Sequence, residues 1–537
     1  MCAQPPVIET EGTIYKGTFL RNNTVATFYG VPYAEPPVGD RRFRAPVPIK
    51  RRHGPGKTVV DASKEPNFCI QSLYGPTATV HGGAGSEDCL HLNIYVPPRV
   101  LRSRPSSAKL PTLVYIHGGA FKAGNPLAWP FDHWVEQFPD VVVVSVYYRL
   151  GIFGFLSAPN AKGALDYNAG FLDQLAALKW VKENIANFGG DPQKITINGQ
   201  SAGGLSMELH LVANGGKQTL FQQVIGQSMW RIPLMQISET QAPFDFIMGE
   251  AGCNIAGYSN VQKIDCYRGK DIPTLMRSSE NAMIKNSSWT PYPVIDGTIL
   301  PGRPTQLINQ GKFSKVPVLV GATTDENFFF TSSLQTDFNM WWPAMTNLSA
   351  IQQVYPSSDF ANETIRAQTA NGETMFRCPR EHVAEAQTAA GQSAYAYRFD
   401  SMNPTQQGPP LVGHSAENWW MFRGVNTVEN GTYAFTPFNS TSQSTFAKEL
   451  LAYWVSFVRS GDPNVHRLEG SPIWPKWENG YVGGSSASPK GKRMVLKEGS
   501  TTGYRGKYQS GSRAEQEPAK ELSRCHAVDA LAPNLHI

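Results

Sequence analysis

A serine in a glycine-rich turn, between an apolar strand and a helix, constrains this chain of 537 residues more than any other feature. The turn reads Gly199-Gln-Ser-Ala-Gly203; a strand is predicted over 194–198, and a helical pattern begins at Ser201 and continues through Leu211. Glycines are needed there because side chains would collide with the neighbouring strand and helix. Such a turn holds the Ser201 Oγ clear of the backbone at a helix N-terminus, where developing negative charge is stabilised.

The segments around this turn predict a doubly wound α/β sheet. Residues 111–116 and 141–147 are continuous apolar runs, as expected for central parallel strands covered by helices on both faces. A helical pattern occupies 169–188, and a further apolar strand is predicted over 316–320. Strands that alternate with helices in this way are typical of the α/β class.

The composition excludes several other classes of protein. Charged residues are 17% of the chain, and the net charge of +5 is too small to indicate binding to nucleic acid or to an anionic membrane. The 49 glycines and 40 prolines predict many loops rather than a coiled coil. No repeat or linker is visible, so we expect a single domain over 1–537. Within it we expect an N-terminal β and lid-loop region over about 5–100, and a surface loop over 483–517 around one strand.

A serine becomes a nucleophile when a base takes its proton and an acid orients that base. After a turn of this kind both partners come later in the chain, with the acid first. Asp325 and Glu326 follow a predicted strand over 316–321, and both qualify from spacing. The base must be one of the later histidines, which are His382, His414, His466, His526 and His536. A glycine-flanked loop can place an imidazole freely, which favours His414, with His466 as its competitor.

A second glycine-rich turn follows the strand predicted over 111–116. It reads His117-Gly-Gly-Ala-Phe121, and consecutive glycines let backbone N–H groups approach a bound molecule closely. Together with the N–H of Ala202, the N–H groups of Gly118 and Gly119 would supply three donors to a tetrahedral oxyanion.

These motifs resemble the type-B carboxylesterase/lipase family, which includes cholinesterases and fungal lipases. The resemblance extends from about Gly12 to the C-terminal helix. Its further motifs are Phe28-Tyr-Gly-Val-Pro-Tyr-Ala34, Pro36-Pro-Val-Gly39, Glu87-Asp-Cys-Leu-His-Leu-Asn93, Tyr148-Arg-Leu-Gly-Ile-Phe-Gly-Phe155 and Phe188-Gly-Gly-Asp-Pro192. The resemblance implies an α/β-hydrolase fold: a large, mostly parallel central sheet flanked by helices, with a small N-terminal β-sheet and loop and helix insertions. It also implies ester hydrolysis through an acyl-enzyme, without metal or cofactor.

The resemblance gives each motif residue a role. The implied catalytic residues are Ser201, Glu326 and His414, the implied oxyanion donors are Gly118, Gly119 and Ala202, and the implied supporting polar residues are Ser228 and Glu417. It also pairs Arg42 with Glu87 and Arg149 with Asp173. Two positions depart from the family. Tyr147 stands where Asn is usual, and Met229-Trp-Arg-Ile232 stands where a small residue usually follows Ser228, which can reshape the acyl pocket.

The cysteines match the same family. Its disulfides imply the pairs Cys69–Cys89 and Cys253–Cys266, and they leave Cys378 and Cys525 as a possible third pair with Cys2 free. Disulfides and the N-x-Ser/Thr sequons favour a secreted glycoprotein; the sequons begin at Asn22, Asn286, Asn347, Asn362, Asn430 and Asn439. The N-terminus lacks a signal-peptide pattern, so we expect one to have been removed; the alternative is an intracellular protein. No stretch is apolar for long enough to predict a transmembrane helix.

The loop between Cys69 and Cys89 bears on the substrate. It is short, has few large apolar residues and contains no Trp, whereas an interfacial lipase needs a longer amphipathic lid and cholinesterases use a Trp to bind choline. We therefore expect an esterase that acts on small to medium-hydrophobic esters. The alternatives are a lipase or sterol esterase, an acyltransferase, or a non-catalytic binding member of the fold. Aromatic clusters at 328–330, 341–342 and 419–420 either line a pocket or belong to the core. The expected partner is a small-molecule ester, and monomer and dimer are both open.

Overall fold

The structure is a computed structural model in which residues 4–10, 12–49, 57–71, 85–102, 109–326, 333–342, 348–405, 410–422, 425–426, 434–435, 437–478, 491–501 and 507–537 are described. These residues form two compact units. The first unit comprises the described parts of Met1–Ile197 and Leu234–Thr298. The second comprises those of Asn198–Pro233, Ile299–Thr427 and Tyr433–Ile537.

The strands are β1 (Val7–Thr10), β2 (Thr13–Lys16), β3 (Thr18–Leu20), β4 (Val25–Pro32), β5 (Thr58–Asp61), β6 (His91–Val96), β7 (Leu110–Ile116), β8 (Val142–Val146), β9 (Gly190–Gln200), β10 (Gln223–Gln227), β11 (Val318–Thr323), β12 (Ala394–Phe399), β13 (Val425–Asn426), β14 (Ala434–Phe435), β15 (Lys492–Leu496) and β16 (Arg513–Gln516).

The helices are α1 (Arg99–Arg102), α2 (Asp132–Gln137), α3 (Gly151–Phe155), α4 (Ala169–Asn184), α5 (Ala202–Val212), α6 (Gln241–Glu250), α7 (Asn260–Arg268), α8 (Ile272–Lys285), α9 (Pro304–Asn309), α10 (Leu334–Trp341), α11 (Ser349–Val354), α12 (Glu363–Gly372), α13 (Cys378–Ala389), α14 (Ala416–Met421), α15 (Thr441–Ser460), α16 (Ala519–Ala530) and α17 (Ala532–Leu535). Among the described residues, no helix combines the length and the hydropathy that a membrane span requires.

In the first unit, β1, β2 and β5 form a small sheet, as the resemblance implies. The strands of the larger sheet run in the order β9-β7-β8-β6-β4-β3. The pair β7–β8 is parallel, whereas β8–β6, β6–β4 and β4–β3 are antiparallel. Every residue of Val142–Val146 is buried, which explains why this strand is apolar on both faces.

In the second unit, the strands run in the order β10-β11-β12-β15-β16. The first three neighbouring pairs are parallel, and β15–β16 is antiparallel. The predicted α/β class is therefore confirmed, and the strand pairing is mixed: the resemblance implies a mostly parallel sheet, whereas the pairs that join β3, β4, β6 and β8 are antiparallel. The segment 483–517, expected to be a surface loop around one strand, carries two strands in its described part: β15, whose last four residues are buried, and the edge strand β16.

Three disulfides link the chain. The implied pairs Cys69–Cys89 and Cys253–Cys266 are confirmed, and Cys378 bonds Cys525, which settles the pair that the sequence left open. The last bridge joins α13 to α16 in the second unit. Cys2 lies outside the described residues, as do positions 72–84 of the Cys69–Cys89 loop and the sequons at positions 347 and 430. The sequon residues Asn22, Asn362 and Asn439 are exposed.

Candidate active site

Ser201 lies in the sharp turn between β9 and α5. Its φ of +61° and ψ of −121° fall outside the regions that L residues ordinarily adopt, so the backbone is strained there. A Cβ on Gly199 would lie 2.3 Å from the Gly203 carbonyl oxygen, and one on Gly204 would lie 2.6 Å from the Gln227 carbonyl oxygen. The turn can close because these two positions are glycine, and it leaves Ser201 partly exposed.

A chain of two hydrogen bonds joins Ser201, His414 and Glu326. The Nε2 atom of His414 lies 2.8 Å from Ser201 Oγ, and its Nδ1 atom lies 2.5 Å from Glu326 Oε2. The Glu326 side chain is buried, whereas 23% of the His414 side chain is exposed. An imidazole whose Nδ1–H is bonded to a carboxylate is held in the tautomer whose Nε2 can accept a serine proton.

The geometry distinguishes the two acidic residues that spacing left open. Asp325 and Glu326 lie in the turn that follows β11, and their side chains have different partners. Glu326 contacts the imidazole of His414, whereas Asp325 Oδ2 accepts a hydrogen bond from the Val412 N–H. The residue that the resemblance selects as the acid is therefore the one that touches the histidine.

The other candidate histidines make different contacts. His382 is buried, its Nδ1 lying 3.3 Å from Arg231 Nη2 and its Nε2 lying 2.8 Å from Asn309 Oδ1. His526 lies 3.0 Å from both carboxylate oxygens of Glu385. The competitor His466 is exposed. The hydrogen-bonded chain to Ser201 is thus made by His414.

Ser228, predicted to support the site, contacts the Glu326 carboxylate directly. Its Oγ donates to Glu326 Oε1 at 2.6 Å, and the Thr323 N–H donates to the same oxygen at 2.6 Å. Ser228 has a φ of +45°, and its own N–H donates to the Gly321 carbonyl oxygen at 2.7 Å. These donors compensate the burial of the carboxylate and fix its orientation toward His414.

Glu417, the other predicted supporting residue, lies buried in the first turn of α14. Burial, followed by the negative charge of Glu326, raises the pKa of Glu417 to about 7. Burial also raises the pKa of Tyr397 well above its ordinary value, and the charges of Glu417 and Glu326 add to that effect. Below neutral pH, Glu417 therefore holds a proton near the buried Glu326 carboxylate.

The predicted oxyanion donors lie in two separate turns. Gly118 and Gly119 follow β7 in the first unit, and Ala202 is the first residue of α5 in the second. A first helical residue has an N–H without an acceptor in its own helix. Gly119 has a φ of +107°, and a Cβ there would lie 2.1 Å from the Ala123 carbonyl oxygen, so the turn requires glycine. The preceding His117 is buried, which lowers its pKa to about 4.

Two residues that the sequence did not single out contact His414. Gln200 Nε2 lies 3.3 Å from His414 Nε2 and donates to Ser415 Oγ at 2.8 Å. The Phe376 ring packs against the imidazole with 4.6 Å between centroids. Gln200 could have been found because it precedes the serine in the turn. Phe376 lies in a π-helical turn, Glu373–Arg377, a feature often found at functional sites that no residue pattern indicates.

Tyr147 and Met229, the two positions that depart from the family pattern, both make defined contacts in the structure. Tyr147 is buried, and its hydroxyl donates to Glu65 Oε2 at 3.0 Å and accepts from Asn93 Nδ2 at 3.3 Å. The Met229 backbone lies against the start of α5, where a Cβ on Gly204 would lie 2.9 Å from the Met229 Cα. The Met229 side chain itself is buried against β10, where a Cβ on Gly226 would lie 2.7 Å from the Met229 Sδ.

The implied ion pairs are confirmed as bidentate contacts. Arg42 donates to both carboxylate oxygens of Glu87 at 2.6 Å, and Arg149 donates to those of Asp173 at 2.7 and 2.6 Å. The Arg149 pair is buried, which orders the turn after β8. Such ion pairs hold segments of the fold in place and are not evidence of a catalytic role.

The aromatic clusters are core where the structure describes them. Trp419 and Trp420 meet edge to face at 4.9 Å and pack with Phe438, and Trp342 stacks on Phe338 at 4.5 Å. All three tryptophans are buried. Residues 328–330 and the side chain at position 341 lie outside the described residues.

One group of buried carboxylates has a spacing that a metal ion could use. Glu381, Glu517 and Glu521 bring carboxylate oxygens within 4.8 Å of one another. The Arg380 Nη2 atom lies 2.7, 3.0 and 3.4 Å from these three residues and thus already supplies a cation. We call this group, with its neighbours on β15 and β16, the arginine–glutamate cluster; its members are Arg380, Glu381, Arg493, Glu515, Glu517 and Glu521.

Comparison with known proteins gives the chain its family. The family model described as "Carboxylesterase family" matches residues 4–494. Carboxylesterase 1F of Mus musculus is 29% identical, over 92% of this chain and 93% of that protein. Acetylcholinesterase of Leptinotarsa decemlineata is 28% identical, over 86% of this chain and 79% of that protein. The crystal structure of Aspergillus niger EstA superimposes with a TM-score of 0.83 at 30% identity and covers 99% of both chains. The chain therefore belongs to the Carboxylesterase family, has the α/β-hydrolase fold and is a serine carboxylic ester hydrolase.

Proposed function

We propose that Ser201, His414 and Glu326 are the catalytic residues of this ester hydrolase. The observation that carries the proposal is the pair of contacts through His414, at 2.8 Å to Ser201 Oγ and at 2.5 Å to Glu326 Oε2. A serine hydroxyl is a weak nucleophile unless a base within hydrogen-bond reach accepts its proton. The buried carboxylate orients the imidazole and stabilises the imidazolium that forms.

In the acylation step, Ser201 Oγ attacks the ester carbonyl carbon while its proton passes to His414 Nε2. The carbonyl oxygen becomes an oxyanion. As the tetrahedral intermediate collapses, the bond to the alkoxy oxygen breaks, and His414 returns the proton to the leaving alcohol. The acyl group remains on Ser201 as an ester.

In the deacylation step, His414 accepts a proton from water, whose oxygen attacks the acyl-enzyme carbonyl. As the second tetrahedral intermediate collapses, its bond to Ser201 Oγ breaks, His414 returns the proton to that oxygen, and the carboxylic acid is released. An alcohol in place of water would give acyl transfer, which is one outcome of the kinetic test below.

The oxyanion donors in this proposal are the N–H groups of Gly118, Gly119 and Ala202. The position of Ala202 at the start of α5 supports its part, since its N–H and the helix dipole both favour negative charge. The glycine-dependent turn at Gly119 supports the other two. That all three donors bind one oxyanion stays a prediction.

The substrates we propose are esters of small to medium hydrophobicity. The short Cys69–Cys89 loop, with few large apolar residues and no Trp, supports this choice over a lipase or a choline esterase. The test is hydrolysis of p-nitrophenyl esters of increasing acyl length by wild type and by Ser201→Ala. We expect a preference for short to medium acyl chains, without a jump in rate above the solubility limit.

A jump in rate on emulsified long-chain esters would contradict the esterase assignment. Equal turnover by wild type and Ser201→Ala would contradict the mechanism. Product analysis in the presence of added methanol measures how much acyl group goes to alcohol instead of water. Formation of methyl ester as the main product at low methanol concentration would identify an acyltransferase.

Secretion is also a proposal. Three disulfides are the observation that supports it, because such bridges persist in oxidising compartments. Mass spectrometry of protein from its native source, before and after deglycosylation, should find glycans at the exposed Asn22 or Asn439. Free thiols and unmodified sequons in that material would support the intracellular alternative.

A further inference from the structure

Spacing leaves Asp325 and Glu326 as alternatives for the acid that orients the histidine, and the contacts of Asp325 indicate a different role for it. Its N–H donates to the Val412 carbonyl oxygen at 2.9 Å, and its Oδ2 accepts from the Val412 N–H at 2.9 Å. One residue thus satisfies both backbone polar groups of Val412. These bonds join the end of β11 to the loop that carries His414, as a parallel bridge between Asp325 and Gly413.

The bridge fixes the start of the histidine loop relative to the acid. Val412 precedes His414 by two residues, and Asp325 is covalently adjacent to Glu326. The Asp325–Val412 hydrogen bonds and the Glu326–His414 contact are therefore close together along both segments of the chain. A displacement of Val412 would change the 2.5 Å contact between His414 Nδ1 and Glu326 Oε2.

The remaining contacts of the loop act on its other side. Gln200 Nε2 donates to Ser415 Oγ, and the Ala416 N–H donates to the Gly413 carbonyl oxygen at 3.1 Å. Ser415 has a φ of +67°, so the chain turns sharply after the histidine. Before the histidine, Asp325 makes two of the described hydrogen bonds that join this loop to the turn after β11.

We infer that Asp325 is a positioning residue that sets the His414 imidazole in register with Glu326 through its two hydrogen bonds to Val412. The inference rests on the proposed function, because it assigns Asp325 to the placement of the proposed base. Asp325 acts through the backbone of the loop and does not touch Ser201 or the substrate. A carboxylate serves well because a hydrogen bond to a charged acceptor is stronger than one to a neutral acceptor.

The test compares Asp325→Ala and Asp325→Asn with Thr324→Val. Thr324 is the matched control: it is the adjacent residue, and its hydroxyl bonds Phe399 and Asp400 rather than the histidine loop. The readouts are kcat and KM for p-nitrophenyl butyrate, the rate at which a fluorophosphonate labels Ser201, the pH profile of kcat/KM and the Tm.

We expect Asp325→Ala to lower kcat and the labelling rate together by about 10- to 100-fold, since a displacement of about 1 Å can cost about 10²-fold. KM should change little. Asp325→Asn should recover most of the rate because its Oδ1 can still accept from Val412, and Thr324→Val should match wild type. The lower apparent pKa of the kcat/KM profile should fall in Asp325→Ala, since a misaligned Glu326 stabilises the imidazolium less. Glu417, the other carboxyl near the imidazole, is unchanged in these variants.

Wild-type kcat and an unshifted pH profile in a folded Asp325→Ala would overturn the inference. An equal loss in Thr324→Val would overturn it as well, because the effect would then be general destabilisation. If Asp325→Ala does not fold, Asp325→Glu decides: it keeps the charge but lengthens the side chain, so wild-type activity would exclude a geometric role and reduced activity would support it. Failure of the wild-type enzyme to label at Ser201 would instead contradict the proposed function.

Discussion

Two parts of the second unit bury carboxylates in opposite ways. At the proposed catalytic triad of Ser201, His414 and Glu326, the Glu326 carboxylate is surrounded by neutral donors, the Ser228 hydroxyl and the Thr323 N–H, and by the imidazole of His414. In the arginine–glutamate cluster, the acidic residues meet guanidinium groups: Arg493 lies 2.5 Å from Glu515 and 2.7 Å from Glu517. Both arrangements compensate a buried negative charge.

The difference lies in what the partner can do with a proton. A guanidinium stays charged at any ordinary pH, so it can hold elements together but cannot accept a proton from a serine. An imidazole gains and loses a proton near neutrality. A substitution in the proposed triad should therefore lower kcat strongly with little change in the free energy of unfolding. A substitution in the arginine–glutamate cluster should lower the free energy of unfolding with little change in kcat.

The largest expected effect comes from Glu326→Gln at the triad. The amide cannot stabilise the imidazolium, and it favours the wrong imidazole tautomer, so kcat should fall by about 10³- to 10⁴-fold. Steady-state kinetics with p-nitrophenyl butyrate measures the loss, and thermal unfolding should show a Tm close to wild type. A variant that kept most of its activity would contradict the role of Glu326.

The second effect comes from Arg493→Met in the cluster. The substitution removes the buried guanidinium that Glu515, Glu517 and Glu521 share and leaves Glu517 and Glu521 to Arg380, so the free energy of unfolding should fall by about 3–5 kcal/mol. Chemical denaturation measures this change, and kcat per folded molecule should stay at the wild-type value. Lys497→Met is the control, because Lys497 pairs with Asp400 at an exposed position where a pair contributes about 0–1 kcal/mol.

A smaller, pH-dependent effect is expected at Glu417. The pKa of Glu417 is about 7 in the folded protein and near 4.5 in the unfolded chain. This difference corresponds to about 3 kcal/mol in the pH-dependent free energy of unfolding. Below about pH 4.5 the carboxyl is protonated in both states, and as the pH rises toward 7 the unfolded state loses the proton first. Stability is therefore lost as the pH rises through this range. Tm measured against pH should fall more for wild type than for Glu417→Gln, and parallel curves would contradict the raised pKa.

Much of the fold could be predicted because burial leaves a pattern in the sequence. The apolar run at 141–147 became β8 (Val142–Val146), and the helical pattern at 169–188 became α4 (Ala169–Asn184) within a few residues. The loop expected over 483–517 was less well predicted: β16 (Arg513–Gln516) is a mostly exposed edge strand, and an edge strand lacks the apolar run that identifies a central one. That the whole chain forms one domain stays a prediction.

Site residues could be predicted where a local sequence motif identifies them. They could not be predicted where their role depends on contacts between segments that are far apart in the sequence. The turn around Ser201 follows from local sterics, whereas the choice between Asp325 and Glu326 depends on which side chain faces a loop about ninety residues later. Phe376 reaches the imidazole from a π-helical turn, which has no sequence signal. The pKa of Glu417 likewise depends on burial beside Glu326, which spacing does not reveal.

The most direct test of the central claim is to identify the residue that a fluorophosphonate modifies. We expect a single covalent adduct, found by peptide mass spectrometry on Ser201, with complete loss of esterase activity at one adduct per chain. The adduct should form far more slowly in Glu326→Gln, because labelling needs the same activated serine. Loss of activity with the adduct on another residue, or full activity with Ser201 modified, would contradict the account.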